Sequence, residues 1–320
     1  MNSNGQQQIV TITLNPALDQ TVYIPHFQLG EVNRVCQQRI DPGGKGINVA
    51  KVVRALGQPV AVTGLLGQDN SKLFFEYFHK QGINNFFVEV AGAARVNIKI
   101  VDDQNGRVTE INFPGLNSSD ENMNQLETVI QQLAAEQQWF VIAGSVPQGV
   151  PATVYGRLIT LLKAQGARVL LDSSGAALRE GIKAIPYAIK PNLEELGQLL
   201  GRPLTADTEI KAAITDLLAG GIRQVIVTLG SQGAIVAEQG EMLRVRPPAV
   251  VANSTVGAGD AMVAGFVVGQ TRGLSLADCA RLGTAAATAS VVQPGTQAGS
   301  VKEVEKLLTQ VHVTSDAAAS

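Results

Sequence analysis

The chain has 320 residues, of which 45% are apolar and 16% charged, with a formal net charge of −2. That much apolar material builds a large core and excludes global disorder. The near-balanced charge, with no lysine or arginine block, leaves no electrostatic footprint for nucleic acid or an anionic membrane, and aromatics at 4% argue against a stacking platform for single strands.

In chain order, residues 9–14 read as the first strand, closed by Asn15-Pro16, and 20–24 as a sheet edge. Asp41-Pro-Gly-Gly-Lys-Gly46 reads as a loop and 47–56 as a helix ended by Gly57, followed by a strand at 60–66 and a helix at 72–81. Residues 86–90, 95–101 and 107–113 alternate with period two around a hairpin turn at Asp103-Gln-Asn-Gly106, which predicts half-buried antiparallel sheet. From 120 onward helices alternate with apolar strands at 139–143, 168–172, 187–190 and 224–229. Such alternation predicts right-handed crossovers and a parallel sheet covered by helices on both faces. The expectation is one α/β domain over residues 1–320, with the antiparallel patch in its N-terminal third.

Residues 247–271 are predicted to be buried helix and strand rather than a membrane span, and 313–320 to fray. Residues 1–8 are polar and uncharged and carry no secretory pattern. Cys36 and Cys279 match neither a metal knuckle nor a disulfide framework, as expected of reduced thiols in a cytoplasmic chain. His26, His79 and His312 share no spacing and support no metal or Ser/His/Asp site.

The sharpest motif is Ser254-Thr-Val-Gly-Ala-Gly-Asp260, running into an apolar helix. Glycines at a helix start leave backbone N–H groups free for an anion. Asp260 reads as a helix cap, or as an ionised base beside that anion pocket, the two parts that phosphoryl transfer needs side by side. In Asp41-Pro-Gly-Gly-Lys-Gly-Ile-Asn48, Lys45 supplies a charge and Asn48 faces the loop, but the Walker A spacing is absent and a surface turn is the simpler reading. Asn192 and Glu195 form a capping box, or order water around Mg²⁺ at a strand end. Thr228-Leu-Gly-Ser-Gln-Gly-Ala234 is a tight turn or the wall of a nucleotide pocket. Asp19 is a solvated loop acid or a clamp for polyol hydroxyls. Arg95 and Lys99 share one strand face, as a basic surface or a phosphate clamp.

Taken together, these motifs resemble the ribokinase-like carbohydrate kinase family, in its phosphosugar branch. The resemblance rests on Thr11-Ile-Thr-Leu-Asn-Pro-Ala-Leu-Asp19, Gly43-Gly-Lys-Gly-Ile-Asn-Val-Ala50, Ala143-Gly-Ser-Val-Pro-Gln-Gly149, Asp172-Ser-Ser-Gly175, Lys190-Pro-Asn192 and Ser254-Thr-Val-Gly-Ala-Gly-Asp-Ala-Met262, in the family's order over about 9–300. The family's Ser-Gly-Ser-Leu-Pro-Pro-Gly departs here to Ala143-Gly-Ser-Val-Pro-Gln-Gly149, a change conservative in shape.

The resemblance implies a mostly parallel sheet flanked by helices and a small antiparallel sheet, with strands from about 20–40 and 95–113, that closes over the sugar as a lid and joins a homodimer. It implies ATP and Mg²⁺ as cofactors, leaves a monovalent cation open, and makes the substrate a ketohexose monophosphate. Fructose 1-phosphate, phosphorylated at its 6-hydroxyl, comes first; tagatose 6-phosphate and fructose 6-phosphate are the alternatives. Asp260 matches the catalytic base, Gly257, Ala258 and Gly259 the anion hole, and Lys190 lies by the transferred phosphate. Thr228, Gly230 and Gly233 match the nucleotide wall, and Asn192 and Glu195 the Mg²⁺ motif. Asp19, Gly44 and Asn48 match positions that hold sugar hydroxyls, with Lys45, Arg95, Asn97, Lys99 and Ser145 as candidates for the sugar's own phosphate. Two rivals remain: a non-catalytic phosphosugar sensor on the same fold, and a dinucleotide-dependent dehydrogenase, whose early G-x-G-x-x-G is missing.

Overall fold

The computed structural model describes residues 8–293 and 295–316. The chain opens with β1 (Ile9–Thr13), β2 (Ala17–Tyr23), β3 (Gln37–Gly43), α1 (Lys45–Ala55), β4 (Val60–Gly67) and α2 (Ser71–Gln81). Two short strands, β5 (Asn84–Asn85) and β6 (Val88–Val90), precede a hairpin of β7 (Arg95–Asp102) and β8 (Arg107–Ile111). Next come α3 (Asp120–Ala134), β9 (Trp139–Ala143), α4 (Val154–Ala164), β10 (Arg168–Asp172), α5 (Gly175–Ile182), β11 (Ala188–Ile189), α6 (Leu193–Leu200) and α7 (Asp207–Ala219). The last third holds β12 (Gln224–Thr228), β13 (Ala234–Glu238), β14 (Glu241–Arg246), α8 (Ala258–Thr271), α9 (Leu276–Val291), α10 (Val301–Leu308) and β15 (His312–Ser315).

The large sheet runs β15-β14-β13-β12-β11-β10-β9-β1-β4-β5, with β6 also beside β4. It is parallel from β12 through to β4, β5 and β6, and antiparallel over β13–β15. β1 and β9 are buried along their whole length, as unbroken apolar strands must be when helices cover both faces. One face packs Ile47, Val53, Phe74, Phe78, Phe266 and Ala285 from α1, α2, α8 and α9; the other packs Leu126, Tyr155, Leu158, Leu178, Leu196 and Ile214 from α3 to α7. Helix α8 is apolar nearly all round, and residues 260–269 are all buried in it, the outcome expected when no polar stripe is available to face water. Strand order reverses at β1, which lies between β4 and β9. Ligands of open α/β sheets bind beyond the carboxyl strand ends near such a switch point.

The second sheet is small, in the order β3-β2-β7-β8. Its outer pairings are antiparallel, but the central pair β2–β7 is parallel, Ala17 opposite Arg95. The period-two pattern reports that a strand is half buried and says nothing of direction; β2 and β7 come together only after the chain has crossed β4.

Four other local readings change. The loop expected at 41–46 is partly strand, because β3 extends to Gly43 and α1 begins at Lys45. The stretch at 86–90 belongs to the large sheet, with β6 parallel to β4 rather than in the antiparallel patch. No strand forms over 247–257. The tail expected to fray pairs as β15 with β14 because Asp316 is tied to Lys211 and Arg244 at 2.5 and 3.0 Å; residues 317–320 and the polar start at 1–7 lie outside the described residues.

Candidate active site

Strand ends of the large sheet, the starts of α1 and α8 and one face of the small sheet surround a cavity of about 400 Å³. The N-cap of α8 is Gly257, whose φ of 82° lies in the left-handed region that only glycine enters freely. Asp260 is therefore the third residue of the helix and not its cap. The first amides of α8 have no partner within the helix, and with the helix dipole they form a positive mouth on the cavity.

Asp260 is 6% exposed, and its Oδ2 accepts a hydrogen bond of 2.9 Å from Asn48 Nδ2, in the first turns of α1. Burial first, then the Asp172 charge, push the Asp260 carboxyl up to about 6, against Lys45, the Asn48 hydrogen bond and Lys190. It is mostly ionised at neutral pH yet a much stronger proton acceptor than an ordinary aspartate.

Asp172, the last residue of β10, ties the site together. It is fully buried, and its Oδ1 accepts from Lys45 Nζ at 3.1 Å and Lys190 Nζ at 3.2 Å. Burial alone would raise its carboxyl, but the two lysines hold it below the ordinary range. Asp172 in turn holds the Lys45 ammonium above its ordinary value, against burial, with Asp260 and Glu195 adding to the effect. A Cβ built on Gly259 would lie 3.3 Å from Lys190 Nζ, so this ammonium sits over the opening turn of α8. Lys45 thus joins the group around Asp172 and Asp260 rather than the basic strand face to which the sequence reading joined it.

That strand face is β7. Arg95, Asn97 and Lys99 alternate along it and all reach the cavity. Asn97 Nδ2 donates to Asp19 Oδ1 at 3.1 Å; burial raises the Asp19 carboxyl, with that bond opposing. Arg95 is braced by the carbonyls of Phe113 and Asn15 at 3.0 and 3.1 Å, and Lys99 pairs with Glu110 of β8 at 3.2 Å.

On the opposite wall Asn192 and Glu195 do form the capping box of α6: Asn192 Oδ1 accepts from the Glu195 amide at 2.7 Å, and Glu195 Oε2 from the Asn192 amide at 2.9 Å. Both still line the cavity, as do Thr228, Gly44 and Gly257. Gly230 lines an adjoining pocket beside Thr228. Three candidates are not on these walls. Ser145 is exposed and its Oγ accepts from Asn15 Nδ2 at 3.1 Å; Ala258 is half-buried in the first turn of α8 and does not line the cavity. Gly233 turns β12 into β13, with the Val245 carbonyl 1.9 Å from where its Cβ would be.

Motif reading gave no role to Asp172, Asp41, Arg39 or Lys51. Asp172 carries a usable signal, an acid closing an apolar strand in a parallel sheet. The others have none, since only the pairing of β3 with β2 and the packing of α1 bring them to the site. Among the described residues no group of three or more His, Cys, Asp or Glu side chains could hold a metal ion by itself.

The sequence model of the pfkB family carbohydrate kinases matches residues 12–303. A 1-phosphofructokinase of Rhodobacter capsulatus is 44% identical over 279 residues, 87% of this chain and 88% of that protein. One of Vibrio cholerae is 39% identical over 308 residues, 96% and 97% of the two chains. Among solved structures, phosphofructokinase-2 of Escherichia coli in complex with potassium superposes with a TM-score of 0.91 at 29% identity, over 95% of this chain and 99% of that one. A possible 1-phosphofructokinase of Thermotoga maritima gives 0.88 at 28% identity, over 97% and 100%. The family match takes in the small sheet, both helix starts and every strand end around the cavity, and the chain belongs to the pfkB family of carbohydrate kinases.

Proposed function

We propose that the chain transfers the γ-phosphoryl group of ATP to the 6-hydroxyl of fructose 1-phosphate, giving fructose 1,6-bisphosphate and ADP. The observation that carries this reading is one cavity holding a buried base, Asp260, between two sets of cations. Lys45 and Lys190 converge on Asp172, with Lys190 over the opening turn of α8, and Arg95 and Lys99 line the same cavity from β7. Such a site suits a substrate that already bears one phosphate and receives another. The choice of sugar follows the 1-phosphofructokinases to which the chain is 38–44% identical.

In the reaction the 6-oxygen attacks the γ-phosphorus, the bond to the bridging oxygen breaks, and ADP leaves. The hydroxyl proton passes to Asp260. Charge on the transferred group is met by the amides of Gly257 and Gly259, which line the cavity, and by Lys190 and Lys45, all in place before the reaction. Asp19 and Asn48 hold sugar hydroxyls, and Thr228 and Gly230 border the nucleotide. One carboxylate oxygen of Glu195 closes the capping box and leaves the other available, which fits Mg²⁺ held with Asn192 through water and neutralising the ATP phosphates. A monovalent cation adds to this set by analogy with the potassium-bound neighbour; exchanging potassium for tetramethylammonium should lower turnover.

The test is ADP release with fructose 1-phosphate, fructose 6-phosphate and tagatose 6-phosphate. The highest kcat/KM is expected for fructose 1-phosphate. A higher value for fructose 6-phosphate would move the assignment towards the Escherichia coli neighbour solved with that sugar, and no turnover with any of the three would leave a sensor. For the phosphate clamp, Lys99→Met should raise KM for the sugar phosphate on the order of 10- to 100-fold, the worth of one charged hydrogen bond, and leave KM for ATP alone. An unchanged sugar-phosphate KM would remove Lys99 from the clamp.

The small sheet is proposed as a lid over the sugar and as the contact with a second copy of this chain. Its register sets Ile40, Gln20, Ile98 and Ile111 side by side in one row, with Ile40 48% and Ile111 45% exposed. A row with isoleucine at three of its four positions, two of them exposed, calls for a partner. Ile111→Asp should convert a dimer to monomer in analytical ultracentrifugation, and a monomeric wild type would end this reading. No helix among the described residues is long and apolar enough to cross a membrane, and a cytoplasmic location is proposed.

A further inference from the structure

Lys51 is 8% exposed, on α1, and makes no ion pair among the described residues. Its Nζ lies 3.3 Å from Asn48 Oδ1 and 5.4 Å from the centroid of the Tyr77 ring. A buried ammonium is costly to keep, and burial lowers its proton affinity although Asp41, Asp19 and Asp260 favour the charge, with Arg39 opposing. The reaction described above gives Lys51 no task.

We propose that Lys51 is a positioning residue for phosphoryl transfer: it fixes the side-chain amide of Asn48 so that the nitrogen, and not the oxygen, faces Asp260. The inference rests on the reading of Asp260 as proton acceptor. Asn48 and Lys51 are three apart on one helix and therefore share a face. An ammonium only donates, an ionised carboxylate only accepts, and an amide has one end of each kind. With Lys51 on one side and Asp260 on the other, a single amide orientation satisfies both: Lys51 Nζ to Asn48 Oδ1, then Asn48 Nδ2 to Asp260 Oδ2 at 2.9 Å. The reversed amide would set an oxygen against the carboxylate and an NH₂ group against the ammonium. Because Asn48 occupies Oδ2, Oδ1 of Asp260 is left to receive the proton. The Tyr77 ring and the short tether along α1 keep the ammonium where the amide needs it.

The consequence is measurable apart from packing. Asp260 is faced by Asp172, Lys45 and Lys190 from β10, the start of α1 and the end of β11, and by Asn48. None of these charges changes when Lys51 is replaced. Lys51→Met releases the amide and removes a nearby cation, so the acidic limb of the kcat profile should move up by about half a unit to one unit. kcat at neutral pH should fall on the order of tenfold, with KM for ATP unchanged. Lys51→Arg, which keeps the donor and the stacking on Tyr77, should restore the limb. In an Asp260→Asn background, Lys51→Met should alter the residual rate less than about twofold, because the two residues act through one path.

A limb that stays in place while the rate falls, or a Lys51→Met loss of full size in the Asp260→Asn background, would overturn the inference and leave Lys51 a packing residue. If melting curves show that the Met variant does not fold, Lys51→Gln is read against the same two criteria. Near-wild-type turnover of Asp260→Asn alone would instead defeat the proton-acceptor reading, a separate outcome.

Discussion

Asp260→Asn lowers kcat by about 10²–10⁴, the usual worth of a positioned general base, while binding of an unreactive ATP analogue measured by calorimetry stays near wild type. The replacement keeps the side chain's shape and leaves the first turn of α8, proposed to meet the nucleotide phosphates, in place, while it removes the negative charge and the capacity to take the proton. The pH profile carries the same assignment. Burial and the Asp172 charge raise the Asp260 carboxyl to about 6, and the group must be ionised to accept a proton. Turnover is therefore level above about pH 7, is halved near pH 6 and falls about tenfold per pH unit further below. In the Asn variant the residual rate loses this limb. Turnover close to wild type, or a limb that persists in the variant, would assign the proton to another group.

Asp172→Asn is expected to do two things together, and their signs separate it from every other change in the site. Removing one partner of a buried pair typically costs about 3–5 kcal/mol, the lower end applying here because Lys45 is partly open to solvent. The melting temperature should drop by several degrees, and kcat by about 10² as Lys45 and Lys190 lose their shared anchor and the phosphoryl group its alignment. The acidic limb should move to lower pH, because the lost carboxylate was one of the influences raising Asp260. Loss of the Lys45 charge should move that limb the other way. A limb that stays in place after Asp172→Asn, with an unchanged melting curve, would show that this carboxylate is neither anchor nor charge partner.

The chain's pattern of elements was legible because it depends on local spacing. Strands β9 and β10 fall on the residues that the apolar runs predict, 139–143 and 168–172, since a strand covered on both faces carries an unbroken apolar stretch, in β10 Val169–Leu171 between Arg168 and Asp172. The capping box of Asn192 and Glu195 was equally readable, two side chains three positions apart serving each other's backbone. Likewise Arg95, Asn97 and Lys99 share a strand face by parity alone. The strand β3 was not legible: Asp41-Pro-Gly has the composition of a turn, and it is drawn into the small sheet by hydrogen bonds to β2.

The sequence by itself determined the order of the elements, the two glycine-bearing helix starts and the presence of Asp260 behind one of them. It could not say what stands opposite Asp260. Asn48 is 212 positions away, and the lysines that share Asp172 come from 127 positions before it and from the next strand of the sheet. Those meetings follow from the reversal of strand order at β1 and the packing of α1 against α8, which bring strand ends and helix starts into one crevice. The charge state of the site follows from the same meetings. A carboxylate's proton affinity is set by burial and by the charges within a few ångströms, and the tertiary structure alone placed Asp172, Lys45 and Lys190 at that distance.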